Sequence, residues 1–298
     1  MKDSAPSVYI NPLTDFGFKF IFGRDADKEF ILSFLNAVLQ PESMIEDVEF
    51  VDKENKGGHK DDRALIYDLH CKLGDGSKII VEMQNRYQAH FSDRALYYLA
   101  ADIHAQGQKG EAWQYELTPV YGIFIMNFEW SDVAEQYLRE DVFLVNMQTK
   151  KCFSDKLGMT FLKIPMMDKD ADECGTTLDR WLYLLKNMDH MEAMPHAFMQ
   201  DPVFRRLGQV TRYAALDKDQ KEAYQASLKT YRDNYAILQT ERAEGRAEGR
   251  AEGRVEGRML ERIDNIRMML AHGLPAEKIG EMFGMGADEV RSIGADMG

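Results

Sequence analysis

The sequence has few of the residues that mark secreted, disulfide-bonded or zinc-binding proteins. Its three cysteines, Cys71, Cys152 and Cys174, form no C-x-x-C pair. That argues against a disulfide framework and a thiolate zinc site, and it fits a reducing cytoplasm. The seven histidines show no H-x-x-x-H or H-E-x-x-H spacing, so a histidine zinc centre is not expected either. The chain also contains no G-x-G-x-x-G or Walker-type loop, which removes the common nucleotide-binding motifs.

Long apolar runs are also missing. The longest, Val120 to Phe128, is interrupted by Gly122 and Asn127 and is far too short to span a bilayer. The N-terminal MKDSAPSVYINP has no apolar core of the signal-peptide type. We therefore expect a soluble cytoplasmic protein with no membrane partner.

The sequence also has no excess of basic residues. The formal net charge of the 298 residues is −13 and the pI is near 5.1, whereas proteins that coat nucleic acid usually carry a basic surface. A nuclease is not excluded, because its site needs carboxylates to hold the cations that meet phosphate. Hydrophobic residues make up 45% of the chain, enough for a sizeable core.

The residue periodicity predicts a mixed α/β core followed by helices. Apolar residues recur at helical spacing in the N-terminal region, whereas shorter apolar runs bounded by turn residues predict strands. Ser92 is predicted to cap a helix, and two late runs are predicted as edge strands. From about Thr177 the pattern is helical. The predicted helices are 15–23, 28–40 and 92–106, and the predicted strands are 45–51, 64–72, 78–84, 120–128, 142–146 and 161–165.

Two carboxylates stand out in the predicted hairpin. Asp68 falls in the middle of an otherwise apolar strand, and Glu82 falls near the end of the next strand. A buried carboxylate is costly unless it is paired, protonated or bound to a metal ion. Hard cations such as Mg²⁺ prefer such oxygen ligands. The spacing D-x13-E-x-Q is also compatible with a salt bridge at the strand end or a solvated face, so by itself it does not define a site.

The loop between these strands decides whether the carboxylates can meet. A two-residue Asp75-Gly76 turn would put Asp68 opposite Met83 and turn Glu82 to the other face. A three-residue loop, Gly74 to Gly76, would instead place Asp68 opposite Glu82, with Gly76 in the left-handed conformation. We predict the three-residue loop, with Asp68, Glu82 and Gln84 on one face.

The wider sequence resembles one family closely. The segments are NPLTDFGFKFIFG, FLNAVL, YDLHCKLGDGSKIIVEMQ, RALYYLAADI and GQKGEAWQYELTPVYGIFIMNF. They resemble the recombination-promoting nuclease and putative transposase group of the PD-(D/E)XK superfamily, over roughly residues 11–128. The resemblance implies a restriction-endonuclease-like core, a mixed sheet flanked by helices, with an α-helical C-terminal extension. It also implies metal-dependent hydrolysis of DNA that leaves 5′-phosphate and 3′-hydroxyl ends, and a role in recombination or transposition.

The resemblance also assigns residues. It places catalytic roles on Asp68, Glu82 and Gln84, and it implies that Mg²⁺, for which Mn²⁺ can substitute, is held by Asp68, Glu82 and the main-chain carbonyl of Met83. Three further positions match elements of the family and are expected to assist or to contact phosphate. These are Asp15 and Lys19 in D-x-x-F-K and Arg94 in R-x-x-Y-Y.

Gln84 departs from the usual superfamily pattern. The common motif ends in lysine, whose charge can orient the attacking water and stabilise the phosphate. A glutamine amide can donate hydrogen bonds but supplies no charge. If Gln84 holds that position, metal ions must do more of the electrostatic work, or Lys19 or Arg94 must supply the cation.

The chain changes character at Arg242, where a four-residue repeat, RAEGRAEGRAEGRVEGR, runs to Arg258. As a helix the repeat pairs only like charges at i,i+4 and carries a glycine in every turn, both of which are unfavourable. These costs favour a flexible spacer, whereas a second copy that aligned Glu against Arg would favour a helical homo-oligomer. The predicted divisions are a nuclease-like core at 1–165, a helical extension at 166–241, the repeat as linker or helix at 242–258, and a small helical tail at 259–298.

The tail has a helix-turn-helix pattern but the wrong charge for DNA. From Leu274 to Gly298 it holds two positive and five negative residues, which makes phosphate contact implausible. We expect protein docking or self-association there.

Two other functions remain open. One is a catalytically weak or inactive nuclease fold that acts as a DNA-binding or protein-binding scaffold, which the acidic charge and Gln84 favour. The other is a transposase that uses three carboxylates. It would need a third acidic residue, for which Asp102 or Glu111 is available, although nothing in the local pattern selects either.

Overall fold

The structure is a computed structural model that describes residues 7–51, 54–55, 65–108, 113–128 and 137–295, with residues 54–55 and 65–66 as backbone only. Helix starts follow the sequence. The Thr14 hydroxyl caps the first helix by accepting from Gly17 N–H, and Thr176 and Asp179 form a capping box at the fourth. The described helices are α1 Asp15–Phe22, α2 Lys28–Leu39, α3 Phe91–His104, α4 Thr177–Asn187, α5 Pro202–Val210, α6 Lys218–Ala271, α7 Ala276–Phe283 and α8 Ala287–Ala295, with short 3-10 turns between some of them.

The described strands form a six-stranded mixed sheet and a two-stranded ladder. In the large sheet the order is β1-β4-β5-β6-β8-β7, and β2 pairs with β3 in the ladder. Strands β5, β6 and β8 are parallel, whereas the outer pairs are antiparallel. The strands are β1 Val48–Phe50, β2 Glu54–Asn55, β3 Leu65–Ile66, β4 Leu69–Leu73, β5 Lys78–Gln84, β6 Val120–Met126, β7 Arg139–Val145 and β8 Cys152–Lys163.

The sheet separates two apolar layers. Alternate residues of each strand point to opposite faces. One face, which includes Val81 and Ile125, packs with residues of α1, α2 and α4 in the largest core. The other face, which includes Ile80 and Phe124, packs against α3. The mixed sheet with flanking helices confirms the predicted fold class.

Two predicted elements were wrong in detail. Phe161 to Pro165 was expected to be an edge strand, but it is the end of β8, which lies between β6 and β7. The earlier part of this strand was not predicted, because the residues Ser154 to Lys156 are polar. Ser92 does not cap α3, because the helix begins at Phe91 after His90, which has a left-handed φ of 61°.

The chain divides into two compact units, Met1–Tyr231 and Arg232–Gly298. In the first unit Tyr224 of α6 is buried against Ile10 and Leu216. The second unit has a small core of its own, in which Ile266 is buried against Ile279 and Val290 of α7 and α8. The AEGR repeat is helical and belongs to α6, so its interpretation as a flexible spacer was wrong.

Candidate metal-binding active site

The β4–β5 hairpin has the register that brings the two carboxylates together. Leu69 pairs with Val81, and the strands close through Leu73 N–H, which donates to the Ser77 carbonyl at 2.8 Å. The loop is therefore Gly74 to Gly76, and Gly76 has φ 87°. This confirms the predicted three-residue loop. One step beyond the Leu69–Val81 pair, Asp68 is brought beside Glu82.

Reciprocal hydrogen bonds hold the carboxylates side by side. The Asp68 N–H donates to Glu82 Oε1 at 3.2 Å, and the Met83 N–H donates to Asp68 Oδ2 at 2.9 Å. Each carboxylate thus accepts from the backbone beside the other. Gln84 lies on the same face of β5 as Glu82, and its Nε2 donates to Glu82 Oε2 at 3.3 Å. The prediction that these three side chains share one face is confirmed.

The continuous strand predicted around Asp68 is interrupted. β3 ends at Ile66 and β4 begins at Leu69, so Asp68 lies in the break between them. Asp68 is half-buried, while Glu82 is only 4% exposed. At this break the Asp68 carboxylate accepts a hydrogen bond from the backbone of β5.

The position of Glu82 is unfavourable for a negative charge. Burial and the neighbouring charge of Asp68 raise the pKa of Glu82 to about 8, although the Asp68 N–H, the charge of Arg94 and the Gln84 amide act in the opposite direction. Two carboxylates in this arrangement repel each other unless a proton or a cation lies between them.

Arg94 of α3 acts electrostatically on Glu82, since its charge lowers the pKa of that carboxyl. Its Nη1 donates to Gln88 Oε1 at 2.6 Å, and its guanidinium lies over the rings of Phe91 and Tyr98 at 5.5 and 5.7 Å. The neighbouring Asp93 contacts His90.

Asp15 and Lys19 are not brought to the carboxylates by any contact among the described residues. They form an ion pair with each other across one turn of α1. Helix α1 packs in the core on the other face of the sheet from α3. Their expected accessory role therefore has no support in these contacts.

The two tyrosines of the R-x-x-Y-Y element have different environments. Tyr97 is 58% exposed. Tyr98 is half-buried and makes an edge contact with Tyr67, with ring centroids 5.2 Å apart. Tyr67 directly precedes Asp68, so α3 packs against the segment that carries the first carboxylate.

A buried polar cluster, which sequence reasoning missed, lies on the same side of the sheet. His70 Nε2 is 2.8 Å from Asp102 Oδ2, and Lys78 Nζ is 3.1 Å from Asp102 Oδ1. Burial raises the pKa of Asp102, but contacts with His70 and Lys78 outweigh burial and leave the pKa below its usual value. Asp102 is thus engaged by two partners, which weakens its nomination as a third catalytic carboxylate. Glu111 lies outside the described residues.

Two asparagines at the ends of neighbouring parallel strands were also missed. Asn127 N–H donates to the Gln84 carbonyl at 2.8 Å, and Asn127 Nδ2 donates to Asn85 Oδ1 at 3.2 Å. Asn85 Nδ2 in turn donates to the Leu13 carbonyl at 2.7 Å. The carboxyl ends of β5 and β6 meet at one edge of the sheet. The position of the two asparagines directly after these strands was the sequence signal that could have predicted their contact.

The donor set suits a hard divalent cation. Among the described residues no group of three or more His, Cys, Asp or Glu side chains gathers around one point. The pair Asp68 and Glu82 nevertheless offers carboxylate oxygens from adjacent strands, and burial together with the charge of Asp68 raises the pKa of Glu82 to about 8. Mg²⁺ is commonly held by one or two carboxylates, with water and substrate phosphate completing its shell.

A mixed sheet flanked by helices, with paired carboxylates at the hairpin strands, defines an α/β fold of the PD-(D/E)XK nuclease class. A family described as PD-(D/E)XK nuclease family transposase matches residues 12–241. The chain belongs to this family, and membership indicates a nuclease-type function. Nucleases of this class generally use divalent metals. No curated protein and no solved structure matches the chain significantly.

None of the described helices has an apolar stretch of the length that crossing a bilayer requires.

Proposed function

We propose that the protein is a metal-dependent DNA endonuclease that hydrolyses phosphodiester bonds. Asp68 and Glu82 would hold Mg²⁺, with the main-chain carbonyl of Met83 as a further ligand and Mn²⁺ as a substitute ion. The observation that carries this proposal is the reciprocal hydrogen bonding of the two carboxylates to backbone N–H groups, with Glu82 buried and its pKa raised to about 8. When bound, the cation supplies Lewis-acid polarisation of the phosphate and offsets negative charge in the transition state.

The protein's own groups would fix this site before substrate arrives. The Met83 N–H holds Asp68, and the Asp68 N–H holds Glu82, so both carboxylates are oriented by backbone. Ligands that are already in place avoid the cost of reorganisation during the reaction. The hairpin is thus the scaffold of the site.

Gln84 and Arg94 would together take the roles of the lysine that is usual in the superfamily motif. The Gln84 amide donates to Glu82 and orients it, but supplies no charge. Arg94 supplies charge, and its guanidinium can bind a phosphate oxygen. Its stacking on Phe91 and Tyr98 restricts its position beside the site. Arg94 therefore stabilises negative charge near Glu82, and Gln84 positions that carboxylate.

The net charge of −13 is consistent with a cleaving enzyme that depends on cations. Without a cation, paired carboxylates repel a phosphate backbone. With a divalent ion between them the local charge approaches neutrality, and Arg94 then adds attraction. DNA binding by this protein should consequently depend on the divalent metal more steeply than binding by a protein with a basic surface.

Cleavage of supercoiled plasmid tests this function. The parent protein should nick plasmid with Mg²⁺ or Mn²⁺ and not with EDTA. Asp68→Ala and Glu82→Ala should each lower the rate by about a hundredfold or more, since removal of one electrostatic catalytic group has effects of this size. Asp93→Asn is the matched control, because Asp93 is an exposed α3 carboxylate whose described contact is His90. Equal cutting by the parent and Asp68→Ala would contradict the assignment.

A second candidate function is a catalytically weak or inactive nuclease fold that binds DNA or protein. The observation that favours it is Gln84 at the place of the usual lysine. Gln84→Lys separates the two functions. In an active enzyme the added charge should retain or raise metal-dependent nicking. Binding of DNA without any nicking, by both the parent and Gln84→Lys, would support the scaffold.

A further inference from the structure

Tyr67 directly precedes the first carboxylate, Asp68, and its ring is buried on the side of the sheet that packs against α3. Its side chain is 1% exposed and belongs to the same apolar cluster as Ile80 and Phe124. Asp68 itself is only half-buried. Because the two residues share a peptide bond, whatever fixes the Tyr67 ring also restricts where the Asp68 carboxylate can lie.

The break between β3 and β4 turns Tyr67 towards α3. In a regular strand, residues three positions apart point to opposite faces, so Tyr67 and His70 would lie on different sides of the sheet. The chain bends at Asp68, however, and the Tyr67 and His70 rings make an edge contact with centroids 5.0 Å apart. The paired residues of β4 begin at Leu69. The position of Asp68 therefore depends on the Met83 N–H and on its own neighbours in the chain.

A buried polar cluster supports the Tyr67 ring from one side. His70 Nε2 lies 2.8 Å from Asp102 Oδ2, and Lys78 Nζ donates to Asp102 Oδ1 at 3.1 Å. These contacts join β4, β5 and α3 at one carboxylate that is fully buried. A buried charge with two such partners is costly to disrupt. The His70 ring is consequently held between sheet and helix, and it gives the Tyr67 ring a fixed neighbour.

Tyr98 extends the contact from Tyr67 to Arg94. The rings of Tyr67 and Tyr98 meet edge to face, with centroids 5.2 Å apart and an angle of 87° between their planes. Arg94 lies one turn before Tyr98 in α3, and its guanidinium is 5.7 Å from the centroid of the Tyr98 ring. Edge-to-face rings and a cation over a ring are both attractive arrangements. Tyr67 is thus connected to Arg94 through its ring and to Asp68 through its backbone.

We propose that Tyr67 is a positioning residue, whose ring sets the Asp68 carboxylate and the Arg94 guanidinium relative to each other. Its effect on catalysis rests on the proposed nuclease function, in which these two groups act on the metal ion and the phosphate. A smaller side chain at this position would lose the contacts with both His70 and Tyr98. A displacement of about 1 Å in a catalytic site can cost about a hundredfold in rate. Loss of the ring should therefore slow cleavage although every catalytic group is still present.

Plasmid nicking by the full-length protein tests this role. Tyr67→Leu should lower kcat by about tenfold or more, whereas Tyr67→Phe, which keeps the ring, should stay within about threefold of the parent. In an Arg94→Ala background, Tyr67→Leu should lower kcat further by less than about twofold, because residues that act through one another are not additive. Equal losses from Tyr67→Leu in the two backgrounds, or equal losses from Tyr67→Phe and Tyr67→Leu, would overturn the proposal.

A buried ring on the other face of the sheet provides the matched control. Phe204 is fully buried in the largest core, where its ring contacts Trp181 and Phe198. Phe204→Leu should lower the Tm, as Tyr67→Leu does, because each removes a buried ring. It should nevertheless keep kcat within about twofold of the parent, since the ring has no contact with the site. If Phe204→Leu slowed cleavage as much as Tyr67→Leu, the loss would be one of folding and the proposal would be overturned.

Amide hydrogen exchange in EDTA tests the geometry without cleavage. The Met83 N–H donates to Asp68 Oδ2, so its exchange rate reports how firmly Asp68 is held. Tyr67→Leu should speed this exchange by about tenfold more than Phe204→Leu does, because the site opens locally. Equal Met83 rates in the two variants would overturn the positioning role, even if the parent cuts plasmid. A parent that does not cut, together with faster Met83 exchange in Tyr67→Leu, would contradict the nuclease function and still support the role of Tyr67 in holding Asp68.

Discussion

At the scale of single residues, Glu82 is the group on which the site depends most. It is 4% exposed, it adjoins a second carboxylate, and its pKa is raised to about 8. An unfolded chain would give the same group an ordinary pKa near 4.5. Folding without a cation therefore takes up a proton at neutral pH, and protonation links the site to stability.

The stability of the metal-free protein should reflect this proton. The raised pKa of Glu82 gives a contribution to stability that is complete below about pH 4.5 and is lost as pH rises through about 8. In EDTA, raising the pH across this window should lower the free energy of unfolding of the parent but not that of Glu82→Gln. The difference between the two proteins should therefore shift by a few kcal/mol in favour of Glu82→Gln. Urea unfolding at a series of pH values measures the difference. If the difference in the free energy of unfolding between the two proteins stays constant across this pH range, Glu82 is ionised in the metal-free fold.

The sequence predicted part of the site at this scale. The common face of Asp68, Glu82 and Gln84 could be predicted, because strand alternation and loop length determine it, whereas their selection as candidate site residues rested on the family resemblance. The cluster of His70, Lys78 and Asp102 could not, since Asp102 is more than twenty residues from either partner. The i,i+4 spacing of Asp15 and Lys19 was the available signal for their ion pair, whereas no local pattern showed that Arg94 would act on Glu82.

At the scale of elements, the β4–β5 hairpin determines the register on which the site depends. Its loop requires a left-handed residue at Gly76, which has φ 87°. A change of loop length by one residue would turn Glu82 to the opposite face of the sheet. The glycines of this loop therefore offer a test of the hairpin that is independent of catalysis.

Alanine substitutions at the two loop glycines should differ. Gly76→Ala should cost roughly 1–2 kcal/mol, because an L-residue in the left-handed region is strained. Gly74→Ala is the control: its φ lies outside that region and an added Cβ meets nothing within 4 Å, so the change should be near neutral. Chemical denaturation gives both values. Equal destabilisation by the two substitutions would contradict the three-residue loop.

The accuracy of element prediction followed the strength of the local signals. Strand β5 was predicted with its exact ends, because an apolar run lies between clear turn residues. Strand β8 was predicted only from Phe161, since its first half is polar and partly exposed and is held by pairing with β6 and β7. The repeat was predicted less well, because its unfavourable spacing favoured a spacer although the segment is helical.

At the scale of the whole molecule, the two compact units have separate cores. The first, Met1–Tyr231, holds the sheet and the carboxylates, and the second, Arg232–Gly298, holds the repeat and the small core around Ile266. The family match covers residues 12–241 and so ends at the start of the repeat. The acidic tail beyond Leu274 offers little attraction for phosphate.

Truncation after Thr240 should separate cleavage from association. The shortened protein retains the cores of the first unit and should nick plasmid in a metal-dependent way at a rate similar to the parent's. If the tail self-associates, as its sequence predicts, light scattering should also show a smaller oligomer for the truncated protein than for the parent. A folded, truncated protein that loses DNA affinity without a change in oligomeric state would instead show that the tail contacts DNA.

The most direct test of the central claim, that Asp68 and Glu82 together hold a divalent cation, is calorimetric titration of the metal-free protein with Mn²⁺ and Mg²⁺ near pH 8. The parent and Asp93→Asn should bind the ion with the same affinity, whereas Asp68→Ala and Glu82→Ala should each weaken binding by tenfold or more, a loss of about 1.4 kcal/mol or greater. Equal affinity in the parent and in both site variants would contradict the claim.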